Sequence, residues 1–399
     1  MDTEALRISW SEVAANGEAA TKFFYSHLFV THPELREMFP IHMTAQRSRF
    51  FTAMCVIITD VDRLAIDSSF VEQLGRDHRR FGTIAEHFLC TRDSLLATLE
   101  HFLGERWTPY LQEAWIAAYD VIARLMIDAA ASVADTPAYW DAEIVASTRL
   151  TLDVTVHTVR PTQPYPFHAG QFLAVEIPQR PREWRYFSPS SAPRPDGTLD
   201  LQVQIVDGGQ VSGYFAREMG PGDGIRIGSP IGTEFVIDPT EADPLLLIAG
   251  GSGLAPMRAI IDAVDRHGRT TGRARRVHLF HGARTEWDIY DDAALTDLAR
   301  QPWFSYTPVV SDDPGYSGVT GLVGAVAASA ADWTGYTAMV CGSAAMVAAT
   351  VEQLRRVGMP LESIRFEKYG DFTVPGGVVT SGVGRHRAVS PLGGGSVIR

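Results

Sequence analysis

Cysteine is scarce in this sequence. The 399 residues include only Cys55, Cys90 and Cys341, and no two of these are close together. Such widely spaced thiols argue against a disulfide framework. They also exclude a plant-type iron–sulfur cluster, which needs four thiolates at tight spacing. We therefore expect neither a disulfide-stapled fold nor that cluster.

Long apolar runs and an excess of basic residues are also missing. No stretch approaches the roughly 20 apolar residues of a membrane helix, and the acidic start, Met1-Asp2-Thr3-Glu4, does not read as a secretory signal. The formal net charge is −12, which disfavours nucleic acid because phosphate binding needs clustered Lys and Arg. We therefore expect a cytoplasmic protein with no membrane segment and no nucleic-acid partner.

The composition that remains is ordinary for a globular protein, with 45% apolar and 21% charged residues. The hydrophobic period changes along the chain, which indicates several domains. The changes predict a helical domain over residues 1–138, an antiparallel β-barrel over 139–240, a parallel α/β domain over 241–372 and a flexible tail over 373–399.

The helical prediction depends on apolar residues at three- and four-residue spacing, with Pro33 and Pro109 near helix starts. The stripes are Val71, Leu74, His78 and Phe81 in one helix and Leu111, Trp115, Ala118, Tyr119, Ile122 and Met126 in another.

Alternation with a period of two predicts the barrel strands. We expect one strand to contain Leu150, Leu152, Val154 and Val156, and a second to contain Leu199, Leu201, Val203 and Ile205. Turn-rich segments such as Pro193-Arg194-Pro195-Asp196-Gly197 separate such strands, as in a small antiparallel barrel.

Strand–helix alternation predicts the last domain. The apolar run Leu245-Leu246-Leu247-Ile248-Ala249 is typical of a strand covered on both faces, and further strands are expected near Arg276, Phe304, Tyr336 and Ser363. This pattern predicts a doubly wound α/β domain with a parallel sheet.

Three residues of the helical domain can carry haem chemistry. His78 lies on an apolar stripe and can supply a fifth ligand to haem iron, while Tyr25 and Gln46 are donors suited to a ligand on the opposite face. From spacing alone, a lone histidine on such a face is more often a satisfied core residue. The residue pattern by itself leaves both interpretations open.

The segments Phe24-Tyr25-Ser26-His27-Leu28-Phe29 and His32-Pro33-Glu34-Leu35-Arg36, followed by Phe39, resemble the opening of the globin domain of flavohaemoglobins. The resemblance continues to about residue 372. It implies haem b, with Tyr25 and Gln46 as distal residues, His78 as the proximal iron ligand, and Phe39 and Phe50 against the haem. A Tyr hydroxyl assisted by a Gln amide can stabilise negative charge on bound O₂.

Arg185-Tyr186-Phe187-Ser188 resembles the Arg-x-Tyr-Ser signature of ferredoxin–NADP reductases. The resemblance implies that the arginine pairs with the FAD pyrophosphate, that the aromatic residue packs on the isoalloxazine ring, and that the serine bonds near its reactive nitrogen. As bare sequence, the four residues could equally be an ordinary strand end.

A second FAD element is expected at Gly209-Gln210-Val211-Ser212, where Ser212 would cap a short helix that begins at Gly213. Phe172 matches the family position of another flavin-contacting aromatic residue, although by itself it would be plain core. FAD is thus the implied flavin.

NADH or NADPH is expected at the glycine-rich turn after the apolar strand, because glycines let phosphate approach the backbone. The same resemblance implies cofactor contacts by Cys341 and Gly342 and by the end of the last strand. The residues are Gly250, Gly251, Ser252, Gly253, Leu254, Ala255, Pro256, Cys341, Gly342, Glu367, Tyr369 and Gly370. Tyr369 would shield the flavin. Arg284 could meet a 2′-phosphate or be a solvated turn residue, so the sequence does not choose between NADH and NADPH.

Four positions depart from the flavohaemoglobin pattern. The Tyr and Glu that usually support the proximal histidine are replaced by Phe88 and roughly Ala130, the usual Lys before that histidine is Asp77, and the flavin-site Tyr is Phe187. Losing that hydrogen bond makes the imidazole a poorer electron donor to iron. We therefore expect retained O₂ chemistry with altered electron supply.

The leading hypothesis is a nitric oxide dioxygenase that uses O₂ and nitric oxide, acting as a monomer or weak dimer. A second is a haem–flavin oxidoreductase with another electron donor, or one acting on peroxides or quinones. A haem sensor or store is disfavoured by the reductase domains. An iron–sulfur dioxygenase reductase is disfavoured by the missing cysteines.

Overall fold

The computed structural model describes residues 2–64 and 66–369. The predicted flexible tail and Gly370 lie outside the described residues. The first part of the chain is helical, as the sequence predicts. Its α-helices are α1 (Thr3–Ala14), α2 (Gly17–Thr31), α3 (Thr44–Thr59), α4 (Ser69–His78), α5 (Ala85–Leu103) and α6 (Pro109–Ala131).

The helical core forms where the apolar stripes meet. The α6 stripe is buried against α1, α2, α3 and α5, and the indole of Trp115 donates to Ser9 Oγ at 3.0 Å. Pro109 is the first residue of α6, and Pro33 is the first residue of the 3-10 helix Pro33–Met38, which confirms both predicted starts. A proline costs little there because the first N–H groups of a helix have no partner within it.

An antiparallel barrel follows. Its elements are β1 (Trp140–Arg149), β2 (Val154–Pro161), β3 (Leu173–Glu176), β4 (Arg185–Phe187), β5 (Leu199–Gln204), α7 (Gln210–Glu218) and β6 (Gly224–Ile227). The strand order is β4-β3-β6-β1-β2-β5. A bridge between Pro189 and Leu201 joins the two outer strands and nearly closes the barrel.

The strand predicted to contain Leu150, Leu152, Val154 and Val156 is wrong in part. β1 ends at Arg149, residues 150–153 form a hairpin turn, and only Val154 onward is β2. Leu152 is 79% exposed at the tip of this turn. Alternation continued by chance through the turn, so period alone could not locate it.

The last domain is a parallel sheet between helices. Its elements are β7 (Leu245–Gly250), α8 (Leu254–Thr271), β8 (Val277–Ala283), α9 (Asp292–Leu298), β9 (Phe304–Val310), β10 (Val319–Thr320), α10 (Val323–Ala330), β11 (Thr337–Ser343), α11 (Ala344–Arg356) and β12 (Ile364–Tyr369). The strand order is β10-β9-β8-β7-β11-β12. The order reverses between β7 and β11, which is where ligands bind in such sheets.

Within the described residues, no helix is both long and apolar enough to cross a lipid bilayer.

Candidate haem, flavin and nicotinamide sites

His78 is the last residue of α4, on the face that packs towards α6. Its Nδ1 lies 2.6 Å from the backbone oxygen of Leu74, one turn earlier. Burial lowers the pKa of His78, opposed by that hydrogen bond. The imidazole is therefore neutral, with its Nδ1 proton donated to the carbonyl and its free lone pair on Nε2. That tautomer is the one in which a histidine binds haem iron through Nε2.

The support for this imidazole differs from the usual family arrangement. The partner of Nδ1 is a backbone oxygen rather than a Tyr–Glu pair. Phe88, at the position of the usual Tyr, packs in an apolar cluster with Val71, Ile122 and Met126. A carbonyl oxygen is a weaker acceptor than a carboxylate, so it makes the imidazole less electron-rich.

Tyr25 and Gln46 are brought together by α2 and α3, as the sequence predicts. The Gln46 amide donates to the Tyr25 hydroxyl oxygen at 3.1 Å. Tyr25 is 5% exposed, and burial raises its pKa well above the usual 10. The phenol is therefore neutral, and its own proton remains able to donate to a third group.

Aromatic rings surround this pair. The rings of Phe39 and Phe50 lie 5.5 and 5.7 Å from that of Tyr25, both in edge contact. Phe24 stacks on Phe50 at 4.3 Å. A neutral imidazole with Nε2 available, a phenol–amide donor pair and an aromatic wall form a set of residues that fits haem b.

The flavin signature lies on β4. Arg185, Tyr186 and Phe187 pair with β3, and side chains alternate between the two faces of the strand. Arg185 donates to Glu183 and to the Trp184 backbone oxygen, the ring of Phe187 meets that of Phe215 at 5.6 Å, and Ser188 is buried.

Tyr186 points the other way, towards the helical domain. Its hydroxyl is within 3.3 Å of Asp77 and 3.4 Å of Arg80. Its ring also meets Phe172 edge-on at 5.5 Å. Tyr186 thus lies at a boundary between domains, a location that the four-residue motif could not reveal.

The predicted cap at Ser212 is wrong. α7 begins at Gln210 with Gly209 as its N-cap residue, so Ser212 lies inside the first turn. The Ser212 hydroxyl instead accepts from the Val206 backbone N–H at 3.1 Å, which closes the preceding turn. α7 begins earlier than predicted because this turn places Gly209, its N-cap residue, in extended backbone. The free N–H groups at the start of α7 can still bind a pyrophosphate.

The barrel and the last strand meet at Gly232. A Cβ atom there would lie 2.8 Å from the ring of Phe172 and 3.3 Å from Glu367 Oε1. Phe172 and Glu367, distant in sequence, are therefore neighbours, as a shared flavin site requires. Tyr369 ends β12, but its side chain lies outside the described residues, so its predicted shielding role stays a prediction.

The glycine-rich turn and the Cys341 turn meet at the reversal of strand order. A Cβ atom on Gly253 would lie 2.2 Å from the Cys341 backbone oxygen, and one on Gly342 would lie 3.3 Å from the Gly250 oxygen. Only glycine permits this approach. The turn, Gly251–Gly253, leads directly into α8, whose first residues are Leu254, Ala255 and Pro256. A dinucleotide pyrophosphate fits such a helix start.

Comparisons with known proteins identify three corresponding domains. Residues 22–126 match the family described as Globin, residues 141–235 match the Oxidoreductase FAD-binding domain, and residues 247–352 match the Oxidoreductase NAD-binding domain. The Flavohemoprotein of Bacillus subtilis is 25% identical over 397 residues, which cover 93% of this chain and 98% of that protein. Over nearly its whole length this chain is similar to flavohaemoglobins, with a globin domain followed by FAD-binding and NAD-binding oxidoreductase domains.

A solved structure has the same architecture as this chain. The flavohemoglobin of Malassezia yamatoensis, with bound FAD and heme, superposes with a TM-score of 0.74 over 92% of this chain and 98% of that one, at 18% identity. The shared domain order assigns haem, FAD and a nicotinamide nucleotide as the cofactors.

Part of the chain is similar to reductases of other systems at higher sequence identity. The phenol 2-monooxygenase reductase component DmpP of Pseudomonas is 32% identical over 214 residues, which are 52% of this chain and 59% of that protein. The chain therefore spans little more than half of that relative.

Two further residues beside the glycine-rich turn were not predicted from the sequence. Tyr290 donates its hydroxyl proton to the Gly251 backbone oxygen at 2.6 Å and accepts from the amide of Gln202 on β5. Both side chains are almost fully buried. No sequence signal marked this pair, because Gln202 occupies one of the alternating polar positions of β5 and therefore looks like a solvent-facing residue.

Proposed function

We propose that the protein is a nitric oxide dioxygenase, converting nitric oxide and O₂ into nitrate with electrons from NADH or NADPH. The observation that carries the proposal is the pairing of the buried Tyr25 hydroxyl with the Gln46 amide beside the rings of Phe39 and Phe50. The reaction balances as NO plus O₂ plus one electron giving nitrate. One NADH therefore serves two turnovers.

The distal pair supplies the oriented donor that this chemistry needs. The Gln46 amide donates to the Tyr25 oxygen, so the phenol proton can point only towards another acceptor. A fixed donor in a dry site stabilises developing negative charge on oxygen without reorganisation. When bound, haem supplies the O₂-binding iron, and FAD divides the electron pair of a hydride into single electrons.

The reductase residues hold and orient the electron source. The close packing of Gly253 on Cys341 holds the glycine-rich turn at the carboxyl end of the sheet, and the start of α8 offers N–H groups to the phosphates of a dinucleotide. We infer that Arg185 and the start of α7 hold the FAD pyrophosphate, while Phe187 and Ser188 contact the flavin ring.

Nitric oxide consumption measured by stopped flow tests the proposal. The oxygenated protein with NADH should consume nitric oxide in repeated turnovers and form equimolar nitrate. The comparator is free FAD mixed with a single-domain globin at equal concentration. Consumption no faster than in that mixture would reject a dioxygenase function.

The second candidate is an oxidoreductase with another electron acceptor. The observation that favours it is the combination of Phe88 and Phe187 with a segment 32% identical to a monooxygenase reductase component. Steady-state oxidation of NADH with quinones or peroxides, in the absence of nitric oxide, would test it. Turnover above that with nitric oxide would favour this candidate.

A further inference from the structure

The end of α4 contacts the barrel beside the strand that carries the flavin signature. Arg80 lies two residues after His78, within the 3-10 helix Arg79–Phe81. Its guanidinium contacts the ring of Trp184, just before β4, and the ring of Tyr186, within β4. This contact links the proximal side of the haem domain to the flavin domain.

Arg80 is unusually enclosed for a charged residue. Its side chain is 9% exposed, and its guanidinium carbon lies 5.2 Å from the ring centres of Phe81 and Trp184 and 5.8 Å from that of Tyr186. In the described part of the chain its Nε has no hydrogen-bond partner. Aromatic faces thus provide much of the solvation that water would give a cation.

Asp77 completes the contact. Its carboxylate accepts from the Tyr186 hydroxyl at 3.3 Å and from the Gln73 amide at 3.0 Å, and it pairs with Arg80 at 3.6 Å. Arg80 also donates to the Tyr186 hydroxyl at 3.4 Å. Asp77, Arg80 and Tyr186 therefore form a closed set across the boundary.

A polar set of this kind favours one orientation of its two partners. A sliding displacement would take the Tyr186 hydroxyl away from Asp77 and the rings of Trp184 and Tyr186 away from the largely buried Arg80 charge, which is unfavourable. An apolar patch of equal size would tolerate such sliding. The charge reversal at Asp77 thus acquires a structural partner, because the acid at 77 is matched by the base at 80.

Aromatic rings continue from this set to the proximal imidazole. The ring of His78 lies 6.1 Å from that of Phe81, which lies 6.5 Å from that of Trp184. On the barrel side, Phe187 of the flavin signature directly follows Tyr186. We propose that Arg80, held by Asp77 and Tyr186, is a positioning residue that fixes the proximal helix against the flavin strand and thereby sets the rate of electron transfer from flavin to haem.

The transfer in question is a one-electron step in which reduced flavin is oxidised and ferric haem iron is reduced to ferrous, with NADH as the electron source. The proposal rests on electron transfer between the two halves of the chain. It does not depend on nitric oxide as the substrate, so loss of the dioxygenase proposal would leave it standing.

Replacing Arg80→Met in the full-length holoprotein tests the proposal, with Arg79→Met as the matched control. Arg79 is the neighbouring cation, but it bonds Thr136 in the helical half rather than the barrel. Stopped flow with NADH under carbon monoxide follows flavin bleaching and ferrous haem formation separately. We expect haem reduction to slow by about tenfold or more in Arg80→Met, with flavin bleaching unchanged.

A second readout reports the contact without turnover. Amide hydrogen exchange over residues 184–187 should accelerate in Arg80→Met and not in Arg79→Met. Arg80→Lys keeps the charge but not the planar guanidinium between the rings. Its rate of haem reduction should therefore lie between those of Arg80→Met and the wild type. Equal rates in Arg80→Met and the wild type, or equal slowing in both methionine variants, would overturn the proposal.

If Arg80→Met is purified without haem or flavin, Asp77→Asn takes its place. This variant removes the carboxylate that holds Arg80 and Tyr186 and leaves the three rings. Slower haem reduction with normal flavin bleaching supports the proposal, and an unchanged rate rejects it.

Discussion

The hydroxyl of Tyr25 is the atom on which the proposed oxygen chemistry depends most directly. Changing Tyr25→Phe keeps the ring against Phe39 and Phe50 but removes the proton that a negative oxygen would accept. A hydrogen bond to a charged acceptor contributes roughly 1.5–3 kcal/mol. We expect O₂ to dissociate about ten to a hundred times faster.

Stopped-flow displacement of O₂ by carbon monoxide measures this rate. Tyr119→Phe is the control, because Tyr119 is also a buried phenol of the helical domain but pairs with Thr91. Equal O₂ dissociation from the two variants would contradict the role of Tyr25.

Glu367 gives a residue-level prediction about pH. Burial, with the Glu234 carboxylate nearby, raises the pKa of Glu367 from its usual 4.5 to about 7. A raised pKa means that the folded state holds this proton more tightly than the unfolded chain. Its contribution to stability is therefore present below about pH 4.5 and is lost as pH rises through about 7.

Glu367→Gln removes this pH-dependent penalty. Relative to the wild type, the variant should gain on the order of 3 kcal/mol in free energy of unfolding at high pH and little at low pH. Denaturant unfolding measured below about pH 4.5 and above about pH 7 gives the difference in free energy of unfolding. A gain at Glu367→Gln that does not depend on pH would count against the assignment.

At the scale of elements, we expect the loops that follow β8 and β9 to determine whether NADH or NADPH binds. Arg284 is exposed there and lacks an ion-pair partner among the described residues. The same two loops carry more acidic residues than basic ones near Arg284, namely Glu286, Asp288, Asp312 and Asp313. The loops are held together by backbone bonds, including Asp312 N–H to the Arg284 oxygen at 2.8 Å. An acidic edge accepts a ribose hydroxyl and repels a 2′-phosphate.

We therefore expect NADH to bind at least about tenfold more tightly than NADPH. Titration of the flavin spectrum with NAD⁺ and NADP⁺ gives both dissociation constants without turnover. Asp312→Asn and Asp313→Asn should reduce the difference in affinity between the two nucleotides. Asp332→Asn, on another edge of the domain, should leave that difference unchanged. Equal affinity for both nucleotides would mean that Arg284 outweighs the acidic residues.

The whole molecule contains several apolar cores and both apolar and polar contacts between domains. Two clusters lie in the helical domain, one fills the barrel, and two lie on the faces of the parallel sheet. The barrel and the sheet domain also share apolar packing, since Val154 of β2 belongs to one of the sheet cores. Polar contacts between domains include Tyr186 with Asp77 and Gln202 with Tyr290. Each domain thus has its own core, and the polar pairs add directional contacts between the domains.

Tyr290→Phe tests that arrangement. The change leaves the Gln202 amide and the Gly251 carbonyl without the hydroxyl, at a cost of about 1–3 kcal/mol for buried polar groups. We expect a lower melting temperature for the barrel and the sheet, measured by calorimetry. Tyr306→Phe is the control, because its hydroxyl bonds Asp292 at an exposed rim. A larger loss at Tyr306 would contradict the prediction.

The sequence by itself determined the domain order, the class of each domain and much of the site. Apolar periods are local properties, so the stripe of His78, the run Leu245–Ala249 and the glycine turn could be read directly. The turn at residues 150–153 and the start of α7 were missed because several local conformations share one pattern.

Only the tertiary structure decided how the domains meet. The bonds of Tyr186 to Asp77, of Gln202 to Tyr290 and the approach of Phe172 to Glu367 join residues far apart in the chain. No local period encodes such pairs, because their geometry depends on the relative position of complete cores. For the same physical reason, only the fold shows that the Asp77 carboxylate, a charge reversal in the sequence, accepts a hydrogen bond from the Tyr186 hydroxyl.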